Sequence, residues 1–143
     1  MSVANRTESL REIDLFSDCS KKELTHIARA VEQQNFTAGD NIVEEGRGGA
    51  TEGYAYVIVA GTAVARRNGR KVSELRAGET IGEMALFDDG PRTASVVAST
   101  DMETLLLSRR ALKGIIDSTP SVAHKLLTEL AGRLRKSNRK LYG

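Results

Sequence analysis

The chain is poor in the groups that most enzymes and nucleic-acid binders rely on. It has one cysteine, two histidines and two prolines, and aromatics make up 4% of its residues. Cys19 has no second thiol to pair with, which is expected of a protein in a reducing, cytoplasmic compartment. His26 and His124 are too few to build the histidine–carboxylate cluster of a barrel metalloenzyme, and both fall on predicted helices outside the strands. Serine, cysteine and histidine form no triad-like grouping, since Cys19 has no base in view. No catalytic residue, metal site or cofactor is therefore expected. With so few aromatics there is little to stack nucleic-acid bases, and a net charge of +2 does not by itself mark a nucleic-acid surface. No apolar run approaches the roughly 20 residues needed to cross a bilayer. Met1 to Arg6 lacks the apolar segment of a signal peptide, so no membrane association is expected.

What remains is an ordinary globular composition, 40% hydrophobic and 28% charged over 143 residues, enough for one domain with a core. Residues 1–19 read as a leader, with a helical turn or two over Thr7 to Ile13 and Leu15-Phe16 tucked onto a domain spanning 20–143. Ser20-Lys21-Lys22-Glu23 is a capping box. Leu24, Ile27, Ala28 and Val31 follow at helical spacing, which predicts a helix from Lys21 to about Gln33 with one buried face. His26 reads as an ordinary polar residue on it.

From Asn35 the period changes to two. Strands are predicted around Phe36, over Asn41 to Glu45, Tyr54 to Ala60, Thr62 to Arg66, Lys71 to Leu75, Ala94 to Ser99 and Glu103 to Ser108. Gly46 to Gly53 reads as a flexible loop, and Asn68-Gly69 is the strongest hairpin signal. The basic tip Arg66 to Lys71 reads as solvated. Many short strands closed by glycine turns predict an α+β fold, a β-roll or jelly-roll-like antiparallel barrel with an N-terminal helix and two C-terminal helices. The first C-terminal helix runs from Arg109 to Asp117 and is broken at Pro120; the second spans about Ser121 to Lys140. Ala123, Leu127, Leu130, Leu134, Ser137 and Leu141 follow heptad spacing, a face that packs on the barrel or on a second copy. Arg133, Arg135, Lys136, Arg139 and Lys140 read as a solvated, dipole-compatible end to that helix.

The stretch with chemistry in it runs from Gly78 to Ser95. Gly82 opens a single helical turn, Glu83 to Leu86, whose first N–H groups suit an anion. Asp88-Asp89-Gly90-Pro91 reverses the chain and brings Arg92 and Thr93 back beside that turn. A turn N-terminus, a planar guanidinium and a hydroxyl on one spot form a phosphate cradle. Glu83 adds a carboxylate that can accept from sugar hydroxyls. Met84, Leu86 and Phe87 read as packing residues, Asp88 and Asp89 as a solvated turn.

Gly82-Glu83-Met84-Ala85-Leu86 followed by Pro91-Arg92-Thr93-Ala94 resembles the phosphate-binding cassette of cyclic nucleotide-binding domains, both halves at the family's separation. The resemblance implies a cyclic AMP or cyclic GMP ligand. Arg92 would pair with the cyclic phosphate, Glu83 with the ribose 2′-hydroxyl, and Gly82, Met84, Ala85, Thr93 and Ala94 would complete the grip. In the catabolite activator branch a Thr-Ser pair late in the last helix contacts adenine across a dimer; carried over, that pair is Ser137 and Asn138. Arg92→Ala is then expected to weaken nucleotide binding at least about tenfold while leaving the domain folded.

By resemblance the chain is a cyclic nucleotide sensor or regulatory module, with cyclic AMP preferred because its short layout looks bacterial. It would act through its C-terminal helices on an effector protein or a homodimer, and bind neither nucleic acid nor membrane. The alternatives are a regulatory fragment of a larger transcription factor, kinase or channel, and a scaffold of the same fold that binds no nucleotide.

Overall fold

The computed structural model describes residues 1–49 and 52–142; positions 50 and 51 of the expected Gly46–Gly53 loop lie outside them. Helix α1 (Val3–Arg11) leads through a 3₁₀ turn (Asp14–Phe16) to α2 (Lys21–Ala30). The strands are β1 (Glu32–Phe36), β2 (Asn41–Val43), β3 (Tyr54–Ala60), β4 (Ala63–Arg67), β5 (Arg70–Leu75), β6 (Thr80–Ile81), β7 (Ser95–Ala98) and β8 (Met102–Ser108), followed by α3 (Arg109–Ser118) and α4 (Ser121–Tyr142). No described helix is long and apolar enough to cross a membrane.

The strands form two four-stranded antiparallel sheets, β1-β8-β3-β6 and β2-β7-β4-β5. They face one another rather than closing into the single barrel that the jelly-roll expectation implies; the roll itself is as expected. β3 shows why. Tyr56 and Ile58 pack between the sheets with Ile42, Ala63, Ala65, Val96 and Met102. The alternate residues Ala55 and Val57 join Leu105 and Leu107 against the helices. A strand buried on both faces reads as a continuous apolar run, and Tyr54 to Val59 is one. At the β4–β5 hairpin Asn68 (φ 54°) and Gly69 (φ 78°) both adopt the left-handed conformation that a tight two-residue turn demands.

The helical layer differs from expectation at both ends of α2. α1 is longer than a turn or two, and Ser2 Oγ caps it by accepting from Asn5 N–H. Leu10, Ile13, Leu15 and Phe16 are all buried in the same core as Leu24 and Ile27. α2 stops at Ala30 rather than Gln33, because Glu32 to Phe36 pair in register with Leu106 to Met102 and complete the edge of β8. The ladder hydrogen bonds available there outweigh the weak helical preference of a polar Glu-Gln-Gln-Asn run.

The capping box forms as predicted, and its glutamate does a second job. Glu23 is 3% exposed, and its carboxylate also accepts from Ser121 Oγ and Lys125 Nζ, so the first turns of α4 are fastened to α2. Burial pushes the Glu23 carboxyl up, but the hydrogen bonds from Lys125, Ser121 and Ser20 outweigh it and hold it at about 2. The same contact raises the Lys125 ammonium. Beside them, burial and then the Glu23 charge push the Cys19 thiol up to about 11, which keeps it protonated and a poor nucleophile. His26 is also engaged, its Nδ1 lying 2.8 Å from Thr119 Oγ1.

Glu23→Gln should therefore destabilise the fold at pH 7 by about 1–3 kcal/mol. Glu23's folded value lies near 2 against 4.5 for a free carboxyl, so its contribution is complete above about pH 4.5 and falls away toward pH 2. Denaturant midpoints measured from pH 7 downward should show the gap between variant and parent narrowing below pH 4.5.

Candidate functional site

β6 pairs with β3 and delivers Gly82 to the rim of the roll. Gly82 has φ 71° and ψ 38°, a left-handed conformation that starts the 3₁₀ turn Glu83–Leu86. Ala85 N–H donates to Gly82 O at 3.1 Å and Phe87 N–H to Met84 O at 3.0 Å. Ala85 and Leu86 are buried and hold the turn against the roll. Met84 and Phe87, expected to pack, are instead 62% and 45% exposed, because a one-turn helix offers the core only one side. The reversal is built as expected, with Gly90 N–H donating to Asp88 Oδ1. The returning strand is stitched to the preceding loop, Arg92 N–H to Arg47 O and Gly46 N–H to Arg92 O.

Arg92 is 7% exposed and lies beneath the turn. Its guanidinium donates to Gly82 O (3.2 Å), Glu52 O (3.1 Å) and Tyr54 O (2.8 Å). It also lies over the Tyr54 ring, 5.2 Å from its centre. The Glu52 carboxylate stands 3.7 Å from Arg92 Nε, too far for a hydrogen bond, and that buried Nε has no partner. A Cβ on Gly82 would lie 2.0 Å from an Arg92 nitrogen. The glycine is thus required twice, by its φ and by its closeness to the guanidinium.

Glu83 points to the last helix. Its carboxylate accepts from Arg133 at 3.1 Å, and Arg133 also reaches Glu129, one turn earlier on α4. Arg133 is thus not the solvated residue expected of the α4 terminus: it lies in an ion-pair network. Gly82, Glu83, Met84, Ala85, Arg92 and Thr93 all line one cavity of ≈ 400 Å³, with Asp88, Gly90 and Pro91. Ala94 does not line it and packs against the inter-sheet core. Ser137 and Asn138 are exposed on α4 and line neither this cavity nor its neighbour. That neighbouring hollow, ≈ 540 Å³ and polar, shares Glu83 and is bordered by Asp14, Thr80, Glu129 and Arg133. No cluster of metal ligands exists among the described residues.

Sequence reasoning missed Glu52, Tyr54, Arg109 and Arg133. Each meets the cassette across a long chain separation, and nothing local signals that. Asp89 is not simply a solvated turn residue, since Arg109 pairs with it. The basic hairpin tip is largely exposed as expected, except that Arg67 Nε donates to Thr93 O at 2.9 Å.

Comparison with known proteins places this geometry in a family. The model of the cyclic nucleotide-binding domain matches residues 33–119, more than half of the chain. A cAMP-dependent protein kinase regulatory subunit of Hypocrea atroviridis is 33% identical over 107 residues, covering 75% of this chain and 22% of the relative. A CRP-like cAMP-activated global transcriptional regulator of Mycobacterium tuberculosis is 28% identical over 139 residues, covering 94% of this chain and 61% of the relative. The chain thus spans less than two thirds of either relative. Among solved structures, the N-terminal domain of a transcriptional regulator from Streptomyces coelicolor A3(2) superimposes with a TM-score of 0.79 at 31% identity, covering 92% of this chain and 95% of that one.

Because Arg92 satisfies three backbone carbonyls, its removal carries a cost that the sequence did not reveal. Without any ligand, Arg92→Ala should remain folded but lose about 1–3 kcal/mol. An unchanged urea midpoint would mean that the guanidinium does not hold these carbonyls in solution.

Proposed function

The chain belongs to the cyclic nucleotide-binding domain family, and we propose that it binds cyclic AMP in the cassette cavity and signals through α4. The observation that carries this reading is the convergence of the Gly82–Ala85 turn, Glu83 and Arg92 on one cavity. A cyclic phosphate has one negative charge, and taking it out of water is costly unless it is paired and hydrogen-bonded. Arg92 supplies the charge from a guanidinium already fixed by its carbonyl partners, so little side-chain entropy is lost on binding. The first N–H groups of the turn and the Thr93 hydroxyl supply further donors, and Glu83 accepts from the ribose 2′-hydroxyl. The cavity lies within the range of small-ligand sites.

Cyclic AMP is preferred over cyclic GMP because the kinase-subunit and regulator relatives both carry cAMP in their names. The relatives are regulatory proteins, so the role proposed is regulation of a cytoplasmic effector rather than catalysis. Glu83 is held by Arg133, and a ribose hydroxyl arriving at that carboxylate alters the contact that keeps α4 in place. Ser137 and Asn138 lie further along the same helix and cap the purine once α4 has moved.

A second copy is the partner for the outer face of α4. Val122 and Leu126 are buried, whereas Leu127, Leu134 and Leu141 are 64%, 62% and 71% exposed at seven-residue steps. Leu127→Ser/Leu134→Ser should shift sedimentation from dimer to monomer without loss of helix content; a parent that sediments as a monomer at high concentration would refute the dimer.

Titration calorimetry with cyclic AMP, cyclic GMP and 5′-AMP tests the binding proposal. One site per chain is expected, cyclic AMP tightest and 5′-AMP weakest. Arg92→Lys, which keeps the charge but loses the planar fork, should bind at least about tenfold more weakly. Equal affinity in that variant, or no heat with any cyclic nucleotide, would refute the assignment.

A further inference from the structure

Arg109 is the first residue of α3, and three of its contacts converge on the far end of the cassette turn. Its Nε donates to Ala85 O at 3.0 Å, one terminal nitrogen donates to Asp88 O at 2.6 Å, and the other pairs with the Asp89 carboxylate. Its own N–H donates to Gly53 O at 2.8 Å, one residue from Tyr54, whose carbonyl Arg92 holds. Arg109 does not line the cassette cavity.

We propose that Arg109 is the residue that couples the cassette to the C-terminal helices. The last carbonyls of any helical turn lack partners within it. Here two carbonyls at or just past the end of the turn, Ala85 O and Asp88 O, are taken by one guanidinium, so the turn and the start of α3 are joined by a rigid planar fork. The apolar contacts behind it, Leu86 with the α3 residues Leu112 and Ile115 in one core, allow sliding because they are non-directional. The polar fork does not. When the cassette closes on an anion, the turn shifts, Arg109 carries the N-terminus of α3 with it, and α4 follows across the short Thr119-Pro120 link. Arg92 grips the start of the turn and the ligand; Arg109 grips its end and the helices.

This inference rests on cyclic AMP binding, and the test separates the two. In the full chain with Cys19→Ser, spin labels at Arg70→Cys on the β4–β5 hairpin and Arg139→Cys on α4 report the distance between roll and helix. Calorimetry in parallel reports the affinity for cyclic AMP. The parent should bind and show a shifted distance distribution. Arg109→Gln should bind with an affinity within about tenfold of the parent and lose the shift. Arg109→Lys, which keeps the charge but not the fork, should lose most of it too and serves alone if Arg109→Gln does not fold. A parent-like shift in either variant overturns the proposal, as does a parent that binds without any shift. Loss of binding by more than about a hundredfold in both variants also overturns it, since Arg109 would then be part of the site. Failure of the parent to bind cyclic AMP refutes the proposed function instead.

Discussion

The cassette is organised by a guanidinium held under a backbone turn. Arg92 is nearly inaccessible, yet it faces carbonyl oxygens from Gly82 and from the Glu52–Tyr54 segment that enters the central strand. A charged group in that position is tolerable only while its donors are used. It therefore ties the turn, the loop before β3 and the returning strand into one unit. The left-handed Gly82, without a side chain, lets the backbone come this close. Replacing either residue alone disrupts the same contact from opposite sides. One donor, Nε, remains unused and buried. Such a group is costly, and the Glu52 carboxylate 3.7 Å away offsets that cost only in part.

Polar tethers hold α4 at two levels, and they differ in kind. At its start, Glu23 accepts from Ser121 and Lys125 while almost wholly buried. That contact belongs to the packed helical layer, beside Val122 and Leu126, and is expected to persist. Three turns on, Arg133 meets Glu83, with both side chains partly exposed at 34% and 26%. A pair with that exposure is worth about 0–1 kcal/mol. The firm tether sits at one end of the helix and the weak one near the candidate ligand site, so the helix can pivot rather than detach.

Much of this was legible in the sequence because it is written in short-range patterns. The capping box at Ser20, the Asn68-Gly69 hairpin, the strand over Tyr54 to Ala60 and the break at Pro120 are each fixed by neighbours within a few residues. Most of the residues from Gly82 to Thr93, though not Leu86, Phe87 or Asp89, line a common cavity for the same reason: the turn and its reversal are local. What could not be read depends on which distant segments meet. Glu32 to Phe36 forms a strand only because β8 needs a partner, and no helical or strand period in that polar run announces it. The burial of Arg92, the Arg133–Glu83 pair and the reach of Arg109 to Asp89 are all set by tertiary packing, where one arginine in a list of charges looks like another.

The division of labour among these arginines bears on how a ligand could move a helix at all. A ligand shifts an equilibrium only by the difference in its affinity for the two states. Arg92 is anchored to the turn and the roll, so a phosphate that pairs with it can favour a position of α4 only through the turn and the Arg109 fork. Glu83 is different, since in this state its carboxylate is already engaged by α4. A sugar hydroxyl that binds Glu83 must share it with Arg133 or displace it, and affinity then depends directly on where the helix sits. On the proposed reading the phosphate contact reaches α4 through the Arg109 fork, and the ribose contact reaches it directly at Glu83. Inorganic phosphate, which lacks the sugar, would leave the Glu83–Arg133 contact untouched.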